Sequence, residues 1–252
     1  MEVDSTFKIP KGKRGLIYDD TLIIADVHLG YESEAEDEGV YLPRVQLKQA
    51  LRDLYEIVSQ HSVNKIVIAG DIKHKFEALT WQERVEIEEF VSTLRGYGIR
   101  DIALVRGNHD TFIKKLLSNL NVALIDGLYE VDSSIAVIHG HILPNEDDIC
   151  KYKYLIMGHE HPVVVIRLGG MSTARFPAFL SIPLDCCETK AIVLPAFGVY
   201  QSGNPVSMDR NAYLSPLIKR YGILERARLF ISDADITLEL PEMRYIKEYI
   251  TA

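Results

Sequence analysis

The chain alternates short, nearly unbroken apolar runs with polar residues that close each run at once. Five such runs follow in order: "TLIIADVHLG", "KIVIAGDIKHKF", "DIALVRGNHD", "SIAVIHGH" and "YLIMGHEHP". Short apolar runs rich in β-branched residues predict strands buried on both faces. Helical patterns lie between the early runs. "LPRVQLKQALRDLYEIVSQ" places Leu47, Ala50, Leu51, Leu54 and Val58 on one stripe, with Pro43 near a first-turn position. "TWQERVEIEEFVSTLRGYG" opens with Thr80 and Glu83 in a capping box and closes at Gly96. "TFIKKLLSNL" predicts a further helix, with Asp110 as its candidate N-cap. Strand and helix in alternation imply right-handed βαβ units in the first half. Later runs, "KAIVLPAF", "RLFIS" and "DITLEL", follow one another among turns and predict antiparallel pairing. The expected class is α/β, with a mixed sheet or two packed sheets. No repeat or linker divides the chain, so one domain over residues 1–252 is expected.

Open α/β sheets place their ligand sites at the carboxyl ends of strands, and all five polar closures fall there. They contain His28, His74, His109, His139, His141, His159 and His161, which leaves only His61 of the eight histidines outside. Core packing or surface polarity would not concentrate histidines this way. In extended backbone, residues i and i+2 point to the same side, about 6–7 Å apart. His159 and His161 could therefore reach one metal ion, or each serve one ion of a pair about 3.5–4 Å apart. Asp26 and His28 repeat that spacing. With Asp71 and Asn108 added, the mixed oxygen and nitrogen donors suit Mn²⁺, Fe²⁺ or Zn²⁺; Ca²⁺ and cysteine-rich structural zinc are excluded. A bridging Asp71 would hold two ions together. Such a pair would polarise a shared water into hydroxide and clamp phosphate oxygens for in-line attack on phosphorus.

Composition narrows the partners. With 28 Lys+Arg against 36 Asp+Glu the net charge is −8, which excludes a basic nucleic-acid coat protein. It leaves room for an enzyme on nucleic acid, because divalent cations supply positive charge locally. The acidic run "ESEAEDEG" reads as a solvated loop or helix start. Lys73, Lys75, Arg106, Lys114 and Lys115 lie near the motifs as candidate phosphate-backbone contacts, with plain surface charge as the alternative. No interleaving of aromatic and basic residues is strong enough to predict a stacking platform. Cys150, Cys186 and Cys187 match no zinc or Cys-x-x-Cys spacing and read as buried or idle thiols of a reducing cytoplasm. No apolar run approaches the ~20 residues of a membrane span. The start, "MEVDSTFKIPKGKRG", lacks an apolar secretory segment, so a cytoplasmic location is expected.

The motif series Asp-x-His, Gly-Asp, Gly-Asn-His-Asp, His and Gly-His-x-His, in order over residues 26 to 161, resembles that of the calcineurin-like metallophosphoesterases. The resemblance implies an αββα sandwich of two mixed β-sheets flanked by helices, with a dinuclear centre at the strand ends. It implies that Asp26, His28, Asp71 and His161 hold one ion. Asp71, Asn108, His139 and His159 would hold the other, most simply as Mn²⁺. His109 would act as general acid or transition-state stabiliser, with Asp110 orienting it. His141 would support the ligands or face the phosphate. Protein phosphatases of this superfamily have Gly-Asp-x-x-Asp-Arg-Gly, whereas this chain has "GDIKHKF". "ADVHLGYE", "GDIKHKF", "GNHD", "MGHEHP" and "LPAF" are similar to the compact ICC-like phosphoesterases, which include DNA-ligase-associated and archaeal nuclease-related proteins. That resemblance implies a phosphodiesterase, with His74 and Asn108 on the substrate side, single-stranded DNA as substrate and DNA-repair proteins as candidate partners. A small-molecule nucleotide phosphodiesterase or phosphatase is the alternative. A non-catalytic scaffold is the remote one, disfavoured because no ligand or catalytic position is missing.

Overall fold

The computed structural model describes residues 1–169 and 172–250. The first sheet holds β1 (Glu2–Val3), β2 (Phe7–Lys8), β3 (Leu16–Tyr18), β4 (Thr21–Ile24), β5 (Lys65–Ile68), β6 (Asp101–Val105) and β7 (Ala123–Ile125), side by side in chain order. β1 to β4 pair antiparallel, and β4 to β7 pair parallel. The second sheet contains β8 (Leu128–Asp132), β9 (Ile135–Ile138), β10 (Tyr154–Met157), β11 (Pro162–Gly169), β12 (Ser172–Pro183), β13 (Lys190–Val193) and β14 (Asn204–Pro205). Its order is β14-β11-β12-β13-β10-β9-β8, and β15 (Arg228–Asp233) with β16 (Ile236–Leu240) joins through β12. β9, β10 and β13 are parallel, β8 and β12 flank them antiparallel, and β14 at the edge pairs parallel with β11.

The helices cover the outer faces. α1 (Tyr31–Asp37), α2 (Gln46–Gln60), α3 (Trp81–Gly96) and α4 (Lys114–Asn119) follow strands of the first sheet; α5 (Glu146–Cys150), α6 (Pro216–Tyr221) and α7 (Met243–Ile250) belong to the second half. Three cores result, and the period of two along each strand explains the unbroken apolar runs. Leu22, Ile24, Ile66 and Ile68 face α2 and α3. Ile23, Val67, Val137, Ile156, Phe179 and Phe230 fill the layer between the sheets. Ala136, Ile138, Leu155 and Met157 face the helices of the second half. The architecture is the expected αββα sandwich of two mixed sheets.

Several local expectations change. α3 has the full capping box of Thr80 and Glu83. α2 starts only at Gln46, three residues after Pro43, and has no cap from its own Val45. Glu32 replaces that cap, accepting from the N–H groups of Val45 (2.9 Å) and Gln46 (2.7 Å). The acidic run is therefore not wholly solvated: Glu32 is buried, because a carboxylate offsets orphan donors at a helix start. The helix expected from "TFIKKLLSNL" is confined to Lys114–Asn119 and lacks a side-chain cap. The long hairpin β11–β12 has no counterpart among the expected strands. Finally, the three cysteines are not all idle thiols. Cys150 and Cys187 form a disulfide with Cα atoms 5.7 Å apart, and Cys186 is free. Parallel pairing of β10 with β13 brings the loops before both strands together, as the Lys190 N–H to Lys153 carbonyl bond (3.0 Å) records. No helix among the described residues is long and apolar enough to cross a membrane.

Phe179 lies fully buried in the layer between the sheets. Phe179→Ala should lower unfolding stability by about 3–5 kcal/mol, read as a lower denaturant midpoint at unchanged slope.

Candidate metal centre

The parallel strands of both sheets end at one place. Asp26 follows β4, Asp71 follows β5, Asn108 follows β6, His139 follows β9, and His159 with His161 follows β10. The backbones interlock there. His28 N–H donates to the Asp71 carbonyl (3.0 Å), Asp26 N–H to the Gly70 carbonyl (3.0 Å), and Gly158 N–H to the His139 carbonyl (3.1 Å). Hydrogen bonds also cross between the sheets, among them His139 Nδ1–H to the Ala69 carbonyl (2.8 Å) and His159 N–H to Asp26 Oδ2 (2.9 Å). Gly70 makes room for the first. Its φ is +89°, and a Cβ there would lie 2.1 Å from His139 Nδ1.

The i, i+2 pairs do not reach the site in extended backbone. Asp26, His28, Asp71, His159 and His161 all have positive φ, between 46° and 71°. Such backbone is uncommon for residues with side chains and is held by surrounding structure. It turns His159 and His161 into different groups. Asp26, His28 and His161 offer donor atoms within 4.8 Å of one another, and so do Asp71, His139 and His159. His28, His74 and His109 form a third cluster at the solvent side. Asn108 joins the second group, with Oδ1 3.0 Å from His139 Nε2.

The electrostatics fit cations here. Asp26 and Asp71 are almost fully buried. Burial opposes their ionisation, yet both are held below the usual carboxylate range, Asp26 by the facing His161 and His139, and Asp71 by His139. Burial also opposes charge on His139, but Asp71 and Asp26 lift it to about 9. Burial lowers His28 to about 3 and His159 to about 4, leaving neutral imidazoles with a lone pair to give. His28 Nε2 and His161 Nε2 face each other at 3.4 Å, and the buried Asp26 Oδ1 accepts no hydrogen bond. Two imidazole nitrogens and a carboxylate oxygen that accepts no hydrogen bond, all pointing at one spot, fit a divalent ion better than a hydrogen-bond network. The Nδ1–H bond of His139 to a carbonyl leaves its Nε2 as the donor atom, the arrangement common to metal-binding histidines.

His109 stands at the mouth. Its N–H donates to Asp71 Oδ1 (2.9 Å), and its Nδ1–H to the His74 carbonyl, so Nε2 faces the centre, 4.0 Å from Asp71 Oδ2. His74 stacks on His109 with rings 5.6 Å apart. His141 lies behind His139, rings 5.1 Å apart, on a cavity of about 350 Å³ shared with Arg106 and Leu128. A second cleft, of about 430 Å³, opens over His28, His74, His109 and His161.

Asp110 neither orients His109 nor caps α4. Its carboxylate accepts from the N–H groups of Asp71 (2.8 Å), Gly107 (2.8 Å) and Ile72 (3.0 Å), and so ties the two loops together. Burial and then the charge of Asp71 raise it to about 6. Lys73 is fully buried, its ammonium donating to the Lys75 and Ala78 carbonyls, so it is no phosphate contact. Arg106 pairs with Asp126 at 2.9 Å, and Lys75 with Asp37 at 3.5 Å.

Four residues that support the site escape a reading of the sequence. Gln46 donates to the Val27 (2.7 Å) and His28 (3.0 Å) carbonyls and accepts from Val199 N–H (3.0 Å). Glu160, between the two histidines, is buried and accepts from the N–H groups of Leu214 (3.0 Å) and Ser215. Glu86 accepts from Gly30 N–H (2.7 Å), and Glu83 from His74 (3.1 Å) and Lys75 (2.7 Å) N–H. A usable signal existed only for the last, through its capping box with Thr80.

The chain matches the family model of calcineurin-like phosphoesterases over residues 20–153, a little over half of its length. Among solved structures it is similar to the nuclease MPE of Pseudomonas putida, at 19% identity and TM-score 0.62, covering 93% of this chain and 100% of that one. It is also similar to Yfce, a phosphoesterase from E. coli, at 19% identity and TM-score 0.44, covering 88% of this chain and 98% of that one. Compared with curated protein sequences, the chain has no significant match.

A Cβ on Gly107 would lie 2.1 Å from Asp71 Oδ1 and 2.6 Å from its backbone N. Gly107→Ala should displace Asp71 and lower hydrolysis by about 100-fold, with weakened divalent-metal binding by calorimetry as the accompanying readout.

Proposed function

We propose, from the premise that this chain belongs to the calcineurin-like phosphoesterase family and is therefore a metal-dependent phosphoester hydrolase, that it is a two-ion phosphodiesterase cutting single-stranded DNA. Asp26, His28 and His161 would hold one ion, and Asp71, His139, His159 and Asn108 the other, with Asp71 shared. Mixed oxygen and imidazole donors accept Mn²⁺, Fe²⁺ or Zn²⁺, and the family resemblance favours Mn²⁺. When bound, such ions supply the nucleophile at neutral pH and neutralise charge on the phosphate oxygens.

The residues of the chain do the rest. His109 presents Nε2 to the centre because its Nδ1–H is engaged by the His74 carbonyl; protonated, Nε2 donates to the leaving oxygen. Asp110 fixes the backbone that carries Asp71, as a positioning residue. His74 lines the solvent cleft where substrate would enter, and His141 supports His139 from the cavity behind it.

The observation that carries the single-strand reading is the course of the chain after "LPAF". β15 pairs with β12 and β16, and Met243 of α7 packs into the core of the second sheet, so these elements extend the sandwich away from the strand ends. The loop around Tyr200 to Asn204 lines the solvent cleft without roofing it. An open cleft admits a flexible strand. The fold shared with the Pseudomonas putida nuclease supports a nucleic-acid substrate.

Metal-stripped protein resupplied with Mn²⁺ should convert circular single-stranded DNA to linear fragments. His109→Ala should lower that turnover by about 10²- to 10⁴-fold while binding Mn²⁺ normally. Intact circles beside rapid hydrolysis of a small chromogenic diester would replace this reading with a small-molecule phosphodiesterase.

A further inference from the structure

Two phenylalanines stand exposed, one against His109 and one three residues after it in the chain. Phe76 is 52% exposed and Phe112 is 73% exposed. The ring of Phe76 meets the His109 ring edge-on at 5.8 Å. Phe112 is three residues beyond His109, and its neighbour Thr111 donates its hydroxyl to the Phe76 carbonyl, which draws the two segments together. Phe112 also has a φ of +58°. A bulky residue rarely adopts that backbone and keeps it only where the surrounding structure holds it there. Neither ring is covered by the core, so packing accounts for neither.

Charge accompanies them. Lys75 precedes Phe76, and Lys114 and Lys115 follow Phe112 on the exposed face of α4; neither Lys114 nor Lys115 has an ion pair among the described residues. Folding thus assembles aromatic and basic residues from segments 35 residues apart, as the Thr111–Phe76 bond measures. A rim of this make-up, beside a centre that takes a phosphodiester, meets the two chemical faces of a single strand: π-faced bases and phosphates.

We propose that Phe76 and Phe112 are stacking residues for unpaired nucleobases next to the scissile phosphate, with Lys114 and Lys115 on the flanking phosphates. This rests on the phosphodiesterase reading above and adds the element that selects a single strand: bases paired in a duplex stack on one another and leave no free face for the rings. Stacking on one aromatic residue changes affinity by about 5- to 150-fold per base.

The test compares wild type, Phe76→Ala, Phe112→Ala, the double variant and Phe76→Leu/Phe112→Leu, all loaded with Mn²⁺. Substrates are a linear oligodeoxynucleotide, the same strand with abasic sites flanking the cut, and a small alkyl aryl phosphodiester. For the double Ala variant, KM for the oligonucleotide should rise by at least about 10-fold with kcat and small-diester turnover unchanged. Leu, apolar but without a π-face, should behave as Ala. The abasic strand should cost wild type the same rise and leave the double variant unaffected. Oligonucleotide cleavage with the same KM in wild type and variants, or Leu restoring wild-type KM, would overturn the stacking role alone. Small-diester turnover by wild type without cleavage of any strand would overturn the nucleic-acid reading and this inference with it. Loss of small-diester turnover in the variants would place the rings in the catalytic centre instead.

Discussion

Asp26 and Asp71 are buried carboxylates at the seam between two sheets, and the arrangement around them answers to that one cost. A buried carboxylate without a counter-charge loses several kcal/mol of hydration. The chain meets the cost with imidazoles, which are compact, can sit at strand ends, and can be proton donors or electron-pair donors as needed. His139 takes the proton-bearing role against Asp71, while burial keeps His28 and His159 neutral. A cation shared by the same carboxylates meets the same need. The charge problem and the candidate metal centre are thus one feature.

Holding side chains this close requires backbone that a chain adopts only under constraint. Five of the donors have positive φ, and a network of buried polar residues keeps them there. Gln46 ties the loop after β4 to the segment near Val199, Asp110 ties the loops after β5 and β6, and Glu160 ties the loop after β10 to residues 214 and 215. Each contributes acceptors or donors to backbone groups that a strand or helix would otherwise satisfy.

Much of the fold was legible because burial on two faces leaves a simple trace: the continuous runs are the strands, and the polar closures are their carboxyl ends. The grouping of donors at one place was legible for the same reason. What the sequence obscured were interactions whose partners are distant in the chain. Glu32 belongs to an acidic run but caps α2, and Lys73 is a lysine among motif residues but closes a turn internally. Asp110 follows His109 directly yet turns away from it. The i, i+2 spacing pointed to residues that do converge, but through the wrong backbone, since the left-handed conformation, and not an extended strand, separates His159 from His161. Phe76 and Phe112 carry no common pattern until the Thr111 hydroxyl brings their segments together.

Each donor group draws on both halves of the chain. Asp26 and His28 come from the first sheet and meet His161 from the second; Asp71 from the first meets His139 and His159 from the second. Neither sheet holds a complete set. A cation seated in either group would therefore be a rivet through the sandwich, stabilising the docked sheets in so far as it binds them more tightly than the unfolded chain. The full donor set exists only where the two sheets meet, so a cation held by all of it reports that the two halves have been joined correctly.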